Sequence, residues 1–114
     1  MAKYERKLQG NIDELLEWLH NDITNGSASA SYEDGSDYRT DGLKVSVRVY
    51  ERYSMTGGNR VSLNITLFEK DDEIFVTAIT SGGSQAIFFK INTLGEETFL
   101  EQCSTSIENY IRNH

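Results

Sequence analysis

The sequence predicts an α+β fold: one antiparallel sheet of about five strands with two helices packed on a single face, in the order β-α-β-β-β-β-α. Three observations predict it. Residues 12–23 carry apolar side chains at helical spacing, residues 43–52 and 61–69 alternate apolar and polar side chains, and residues 99–111 return to the helical period. The 114 residues are expected to form a single domain over 1–114, and a domain of that length buries roughly two thirds of the surface its unfolded chain exposes.

Residues 3–8 read as a short first strand, with Tyr4, Arg6 and Leu8 alternating against Lys3, Glu5 and Lys7. After Gly10, Asn11 followed by Glu14 has the form of a capping box, and Ile12, Leu15, Leu16, Leu19 and Ile23 form the apolar stripe of the first helix. Trp18 falls at the edge of that stripe. Residues 27–32 alternate small and polar side chains and read as a modest strand, and the Asp- and Gly-rich residues 33–42 read as a solvated loop.

The next segments, 43–53, 61–69, 74–80 and 85–91, are expected to form a meander. In the first, Leu43, Val45, Val47 and Val49 are assigned to the core and Lys44, Ser46, Arg48, Tyr50 and Arg52 to the outside. In the second, Val61, Leu63, Ile65 and Leu67 face inward. A hairpin at residues 70–73 sets Phe68 opposite Phe75 and Leu67 opposite Val76, and opposed residues share a sheet face. A hairpin symmetric about Gly57-Gly58 sets Tyr50 opposite Asn64. Ser81-Gly82-Gly83-Ser84 is followed by Ala86-Ile87-Phe88-Phe89. A phosphate-cradling loop requires a helix there, so the glycines read as a turn that pairs Ala78 with Ile87 and Val76 with Phe89. The two glycine pairs then lie at one end of the sheet and Asp71-Asp72 at the other. Thr93 with Glu96 opens the second helix, whose stripe is Phe99, Leu100, Cys103, Ile107, Tyr110 and Ile111.

Composition excludes several functions. A net charge of −7 disfavours nucleic acid and anionic membranes as partners, because both are held by cationic surface. The charged start of the chain lacks the apolar stretch of a secretory signal, and the one cysteine suits a reducing compartment, so a cytoplasmic location is expected. His20 and His114 have no partners at metal-ligand spacing, and residues 33–42 lack the ligand register of a calcium loop. No cofactor or metal site is expected. Cys103 lies within an apolar stripe and reads as a small hydrophobe, and no nucleophile, base and oxyanion set can be assembled, so no catalytic residue is assigned.

The informative surface is the outer face of the sheet. The expected register gathers on it a basic and aromatic group, with Tyr50, Phe68, Phe75, Phe88, Arg48, Arg52 and Lys90 as candidates for an interface. The leading expectation is therefore an interaction module that binds itself or another protein, a homodimer among the possibilities. A second expectation is a carrier for a small apolar ligand held between helix and sheet near Trp18, Phe89 and Phe99. An enzyme of unknown class ranks third.

The order of elements resembles one half of the TATA-binding protein fold, and also a reduced helix-grip domain. The first resemblance implies an open sheet face that binds DNA, which the acidity of this chain opposes; the second implies an apolar ligand. The stretches "YERKLQGNIDELLEWL" and "SGGSQAIFFKIN" resemble a family of small bacterial proteins of unknown function, and that resemblance implies no functional residues.

Overall fold

The computed structural model describes residues 1–26, 30–53, 60–82 and 89–114, with side chains from residue 97 in the last segment. The elements are β1 (Ala2–Gln9), α1 (Ile12–Gly26), β2 (Ser31–Thr40), β3 (Leu43–Tyr53), β4 (Arg60–Lys70), β5 (Glu73–Gly82) and α2 (Phe89–Asn113). The strands form one five-stranded sheet in the spatial order β1-β5-β4-β3-β2, every neighbouring pair antiparallel. Both helices lie on one face. The α+β class and the β-α-β-β-β-β-α order are therefore as the sequence predicts.

The α1 start is built twice over. Asn11 Oδ1 accepts from the Glu14 N–H at 3.0 Å, and Glu69 Oε1, reaching across from β4, accepts from the Ile12 N–H at 2.8 Å. Two of the four orphan donors of the first turn are thereby satisfied. The expected capping box is only half made, because Glu14 Oε1 accepts instead from the Tyr110 hydroxyl at 2.6 Å. Ile12, Leu15, Leu19 and Ile23 from α1 and Phe99, Cys103, Ile107 and Tyr110 from α2 are buried against Val61, Leu63, Ile65, Leu67, Ile74, Val76 and Ala78 of the sheet. Each fully buried branched aliphatic contributes about 1.5–3 kcal/mol.

Two hairpins set the sheet. Lys70 opposes Glu73 around Asp71-Asp72, whose φ values of 51° and 64° are those of a two-residue turn twisted to match its strands. Phe68 opposite Phe75 and Leu67 opposite Val76 are as expected. The second hairpin corrects an expectation. Residues 33–42 are not a loop: Thr40 opposes Leu43 around Asp41 (φ 38°) and Gly42 (φ 80°), and β2 runs antiparallel to β3. An Asp-Gly turn is the sequence signal for this hairpin. β2 carries a bulge between Tyr32 and Asp34. Just past it, a Cβ on Gly35 would stand 2.8 Å from the Val47 carbonyl oxygen, so the close approach of the two strands excludes a side chain there.

The expected strand 85–91 is also corrected. Phe89, Lys90 and Ile91 belong to α2, and residues 83–88, with the pairing of Ile87 to Ala78, lie outside the described residues. The second neighbour of β5 is β1, which sets Tyr4 opposite Ala78 and Arg6 opposite Val76. That edge of β5 was thus taken by the first strand, not by a later one. Gly57, Gly58 and Gly83 lie outside the described residues as well. No helix among the described residues is long and apolar enough to cross a membrane.

Candidate functional site

The register of β3 on β4 decides which side chains form the outer face. Val49 opposes Asn64 and Tyr50 opposes Leu63, one residue away from the expected pairing of Tyr50 with Asn64. A slip of one residue exchanges the two faces of a strand. Tyr50, expected outside, is 1% exposed and faces the helices, as do Ser46, Arg48 and Arg52, while Val45, Val47 and Val49 face outward.

The inward polar side chains of β3 find partners beyond the helix-covered core. Tyr50 Oη lies 3.0 Å from His20 Nδ1, and burial pushes its phenol up to about 12. Arg48 makes a 3.0 Å ion pair with Asp37 of β2, and Ser46 Oγ donates to the same carboxylate at 2.6 Å, which holds Asp37 below the usual carboxylate range. The Arg52 guanidinium sits 4.6 Å over the ring of buried Phe99 and donates to Gln102 Oε1 at 3.2 Å. Arg48, Arg52 and Tyr50 are therefore corrected as outer-face residues. They form a polar margin under the helices.

The outer face itself is a set of cross-strand rows. One row reads Lys7, Phe75, Phe68, Val45, Tyr38; the next Glu5, Thr77, Thr66, Val47, Ser36; the third Lys3, Ile79, Asn64, Val49, Asp34. Phe68 is 43% exposed, Phe75 37%, Ile79 39% and Tyr38 62%. The face is uncharged in the middle, where Asn64, Thr66 and Thr77 stand among the apolar side chains, and is not basic as expected. Its charges lie on the edge strands β1 and β2 or near strand ends: Lys3, Lys7, Arg60 and Lys70 against Glu5, Glu33, Asp34, Glu51 and Glu73. Arg60 pairs with Glu51 at 2.6 Å and with Glu33 at 3.4 Å. Nearly balanced charge here means that the −7 of the chain is carried elsewhere. Sequence reasoning found Phe68 and Phe75 but missed Val45, Val47, Val49 and Tyr38. Phe88 lies outside the described residues, and Lys90 belongs to α2 and not to a strand of the sheet.

Of the residues assigned to a ligand cavity, Trp18 and Phe99 are described with their side chains, and the side chain of Phe89 lies outside the described residues. Trp18 packs edge-on against Tyr110 and His114, with ring centroids 5.9 and 5.2 Å away, and its Nε1–H donates to the Ser106 carbonyl at 2.9 Å. Phe99 is fully buried beneath Arg52, and Phe89 opens α2. A groove of about 530 Å³ runs between Asp22 and Gly26 of α1, Arg52 of β3 and Gln102 and Ser106 of α2. It is open, and apart from Gly26 its lining residues are of polar or charged types. Cys103 is buried and its thiol is pushed up to about 12 by burial, a setting opposite to that of a reactive cysteine. Among the described residues, no group of three His, Cys, Asp or Glu side chains is placed to hold a metal ion.

No curated protein matches this chain. A family model matches residues 1–111, that is, all but the last three of the 114 residues, and the chain belongs to the family of unknown function DUF6054.

Proposed function

We propose that this protein is a non-catalytic interaction module that binds protein through the outer face of its sheet. One observation carries the reading: the more apolar face of β3, Val45, Val47 and Val49, points away from the helices, Val45 stands beside the exposed Phe68 and Phe75, and the outward positions in the middle of the sheet carry no charge. Phe75, Phe68, Val45 and Tyr38 make one unbroken row of apolar and aromatic side chains on that face, the kind of surface by which proteins associate. An uncharged centre with a charged rim is also the anatomy of a protein interface.

The sheet edges support the face as the route of association. β2 carries a bulge and Asp34 and Asp37, and β1 carries Lys3, Glu5, Arg6 and Lys7, devices that discourage strand addition. A free, buried Cys103 suits work in a reducing cytoplasm.

Phe75→Asp tests the reading. The side chain is outside the core, so the variant keeps the circular dichroism and urea midpoint of the wild type while losing self-association or a captured protein. A wild type that stays monomeric and retains no protein that Phe75→Asp loses removes the proposal.

A further inference from the structure

The composition of the outer face makes it a self-complementary surface, and we infer that its occupant is a second copy of this chain, packed sheet to sheet about a two-fold axis that runs along β4. The inference rests on the interaction-surface reading and names its partner. Area supports it first. Five strands about 4.8 Å apart, ten residues long at about 3.3 Å each, make a face of roughly 24 by 33 Å. That is about 800 Å², the area each partner contributes to a standard-size complex.

Charge supports it second. A chain of −7 meets its own copy with least repulsion through a face that is near neutral, whereas a strongly basic face would point to an acidic partner.

The rows then select the axis. Packed sheets keep their strands roughly aligned, which allows two symmetric arrangements. A two-fold axis across the strands lays each strand over its own copy, so Glu5 meets Glu5 and Lys3 meets Lys7. A two-fold axis along β4, the central strand, lays β5 over β3 and β1 over β2. Phe75 then covers Val45 and Ile79 covers Val49, aromatic and branched side chains against the smaller valines. Lys3 meets Asp34 twice, once at each end of the symmetric pair. The second arrangement satisfies shape and charge together.

Two measurements on the full chain test this. Sedimentation equilibrium is expected to give a species of twice the 12.9 kDa chain mass, with Phe75→Asp reduced to one. In the second, Glu5→Cys and Ser36→Cys chains are treated separately and as a mixture with a bis-maleimide about 10 Å long, the spacing of packed sheets. The mixture is expected to give a cross-linked pair and each chain alone to give none. Within one copy Glu5 and Ser36 lie on strands at opposite edges of the sheet, about 19 Å apart, so the link reads only contact between copies. Buried Cys103 adds no background. As a second variant, Lys3→Glu weakens the dimer about tenfold through its two lost pairs, and Asp34→Lys in the same chain restores it. Efficient cross-linking of Glu5→Cys alone overturns the axis. A monomeric wild type that nevertheless retains a protein lost by Phe75→Asp overturns the homodimer and leaves the interaction surface standing; a monomer that retains nothing overturns both.

Discussion

The carboxylate of Glu69, on the central strand β4, accepts a 2.8 Å hydrogen bond from the backbone N–H of Ile12, the first residue of α1. Glu69 is only 8% exposed, so it joins sheet to helix where water cannot replace it. Removing it leaves a buried donor unpaired. Glu69→Ala is expected to cost about 2 kcal/mol, read as a lower urea midpoint at unchanged slope. Glu69→Gln keeps an acceptor and loses only the charge at the helix start, so its cost is about 0.5–1 kcal/mol. Equal losses from both variants would show that the hydrogen bond itself contributes little.

The β4–β5 turn holds Asp72 at φ 64° without a glycine. Asp72→Gly relieves a left-handed backbone and is expected to stabilise by about 0.5–1 kcal/mol, a rise in Tm of roughly 2–5 °C at this chain length. At the β2–β3 turn the change runs the other way. Gly42 has φ 80° and open space around it, so Gly42→Ala meets no clash and its expected loss of about 1 kcal/mol comes from backbone strain alone. Thermal melts of both variants check the pair.

Stability is expected to fall at both ends of the pH range for different reasons. Glu108 accepts from the Tyr4 hydroxyl and from Arg6, contacts that hold its carboxyl below the ordinary 4.5. A depressed folded value means that the stabilisation is present above 4.5 and is lost as pH falls through the folded value. Glu108→Gln therefore flattens the acid limb of a urea-midpoint profile. Burial raises Tyr50 to about 12 from 10.0. A raised folded value means the reverse: stabilisation is complete below 10 and is lost between 10 and about 12. Tyr50→Phe removes that part of the alkaline limb, and an unchanged profile would mean that Tyr50 ionises freely in the fold.

Cys103 is fully buried in the helix–sheet core, and burial pushes its thiol up to about 12. Its modification by an aromatic disulfide reagent is expected to wait for opening of the core and to accelerate with urea in step with unfolding. Prompt reaction of the native protein would place the thiol outside.

Much of the architecture was legible in the residues themselves. Ile12, Leu15, Leu19 and Ile23, then Phe99, Cys103, Ile107 and Tyr110, and the inward set Val61, Leu63, Ile65 and Leu67 are buried as their spacing predicts, while Leu16, Leu100 and Ile111 of the stripes are partly buried. The opposition of Phe68 and Phe75 is as predicted too, because a tight turn over Asp71-Asp72 leaves one register open. Most of β2 was read as loop, from residue 33 on, although Asp41-Gly42 marks its hairpin, since its Ser, Asp and Gly content outweighed the turn signal. Phe89 to Ile91 have the bulk of strand residues yet form the first residues of α2.

What the sequence determined by itself is the class, the order of elements, the apolar stripes of both helices and the two aromatic residues at one end of the outer face. Only the tertiary structure decided which face of β3 the helices cover. Alternation states that Val45, Val47 and Val49 share one side and Ser46, Arg48 and Tyr50 the other, but not which side is in. That choice is made across the sheet, where pairing of Tyr50 with buried Leu63 places the even-numbered residues under the helices. The choice is tolerable because Asp37, His20 and Gln102 satisfy the polar groups carried inward. A period of two has no sign, and the long-range partners that supply the sign belong to other parts of the chain.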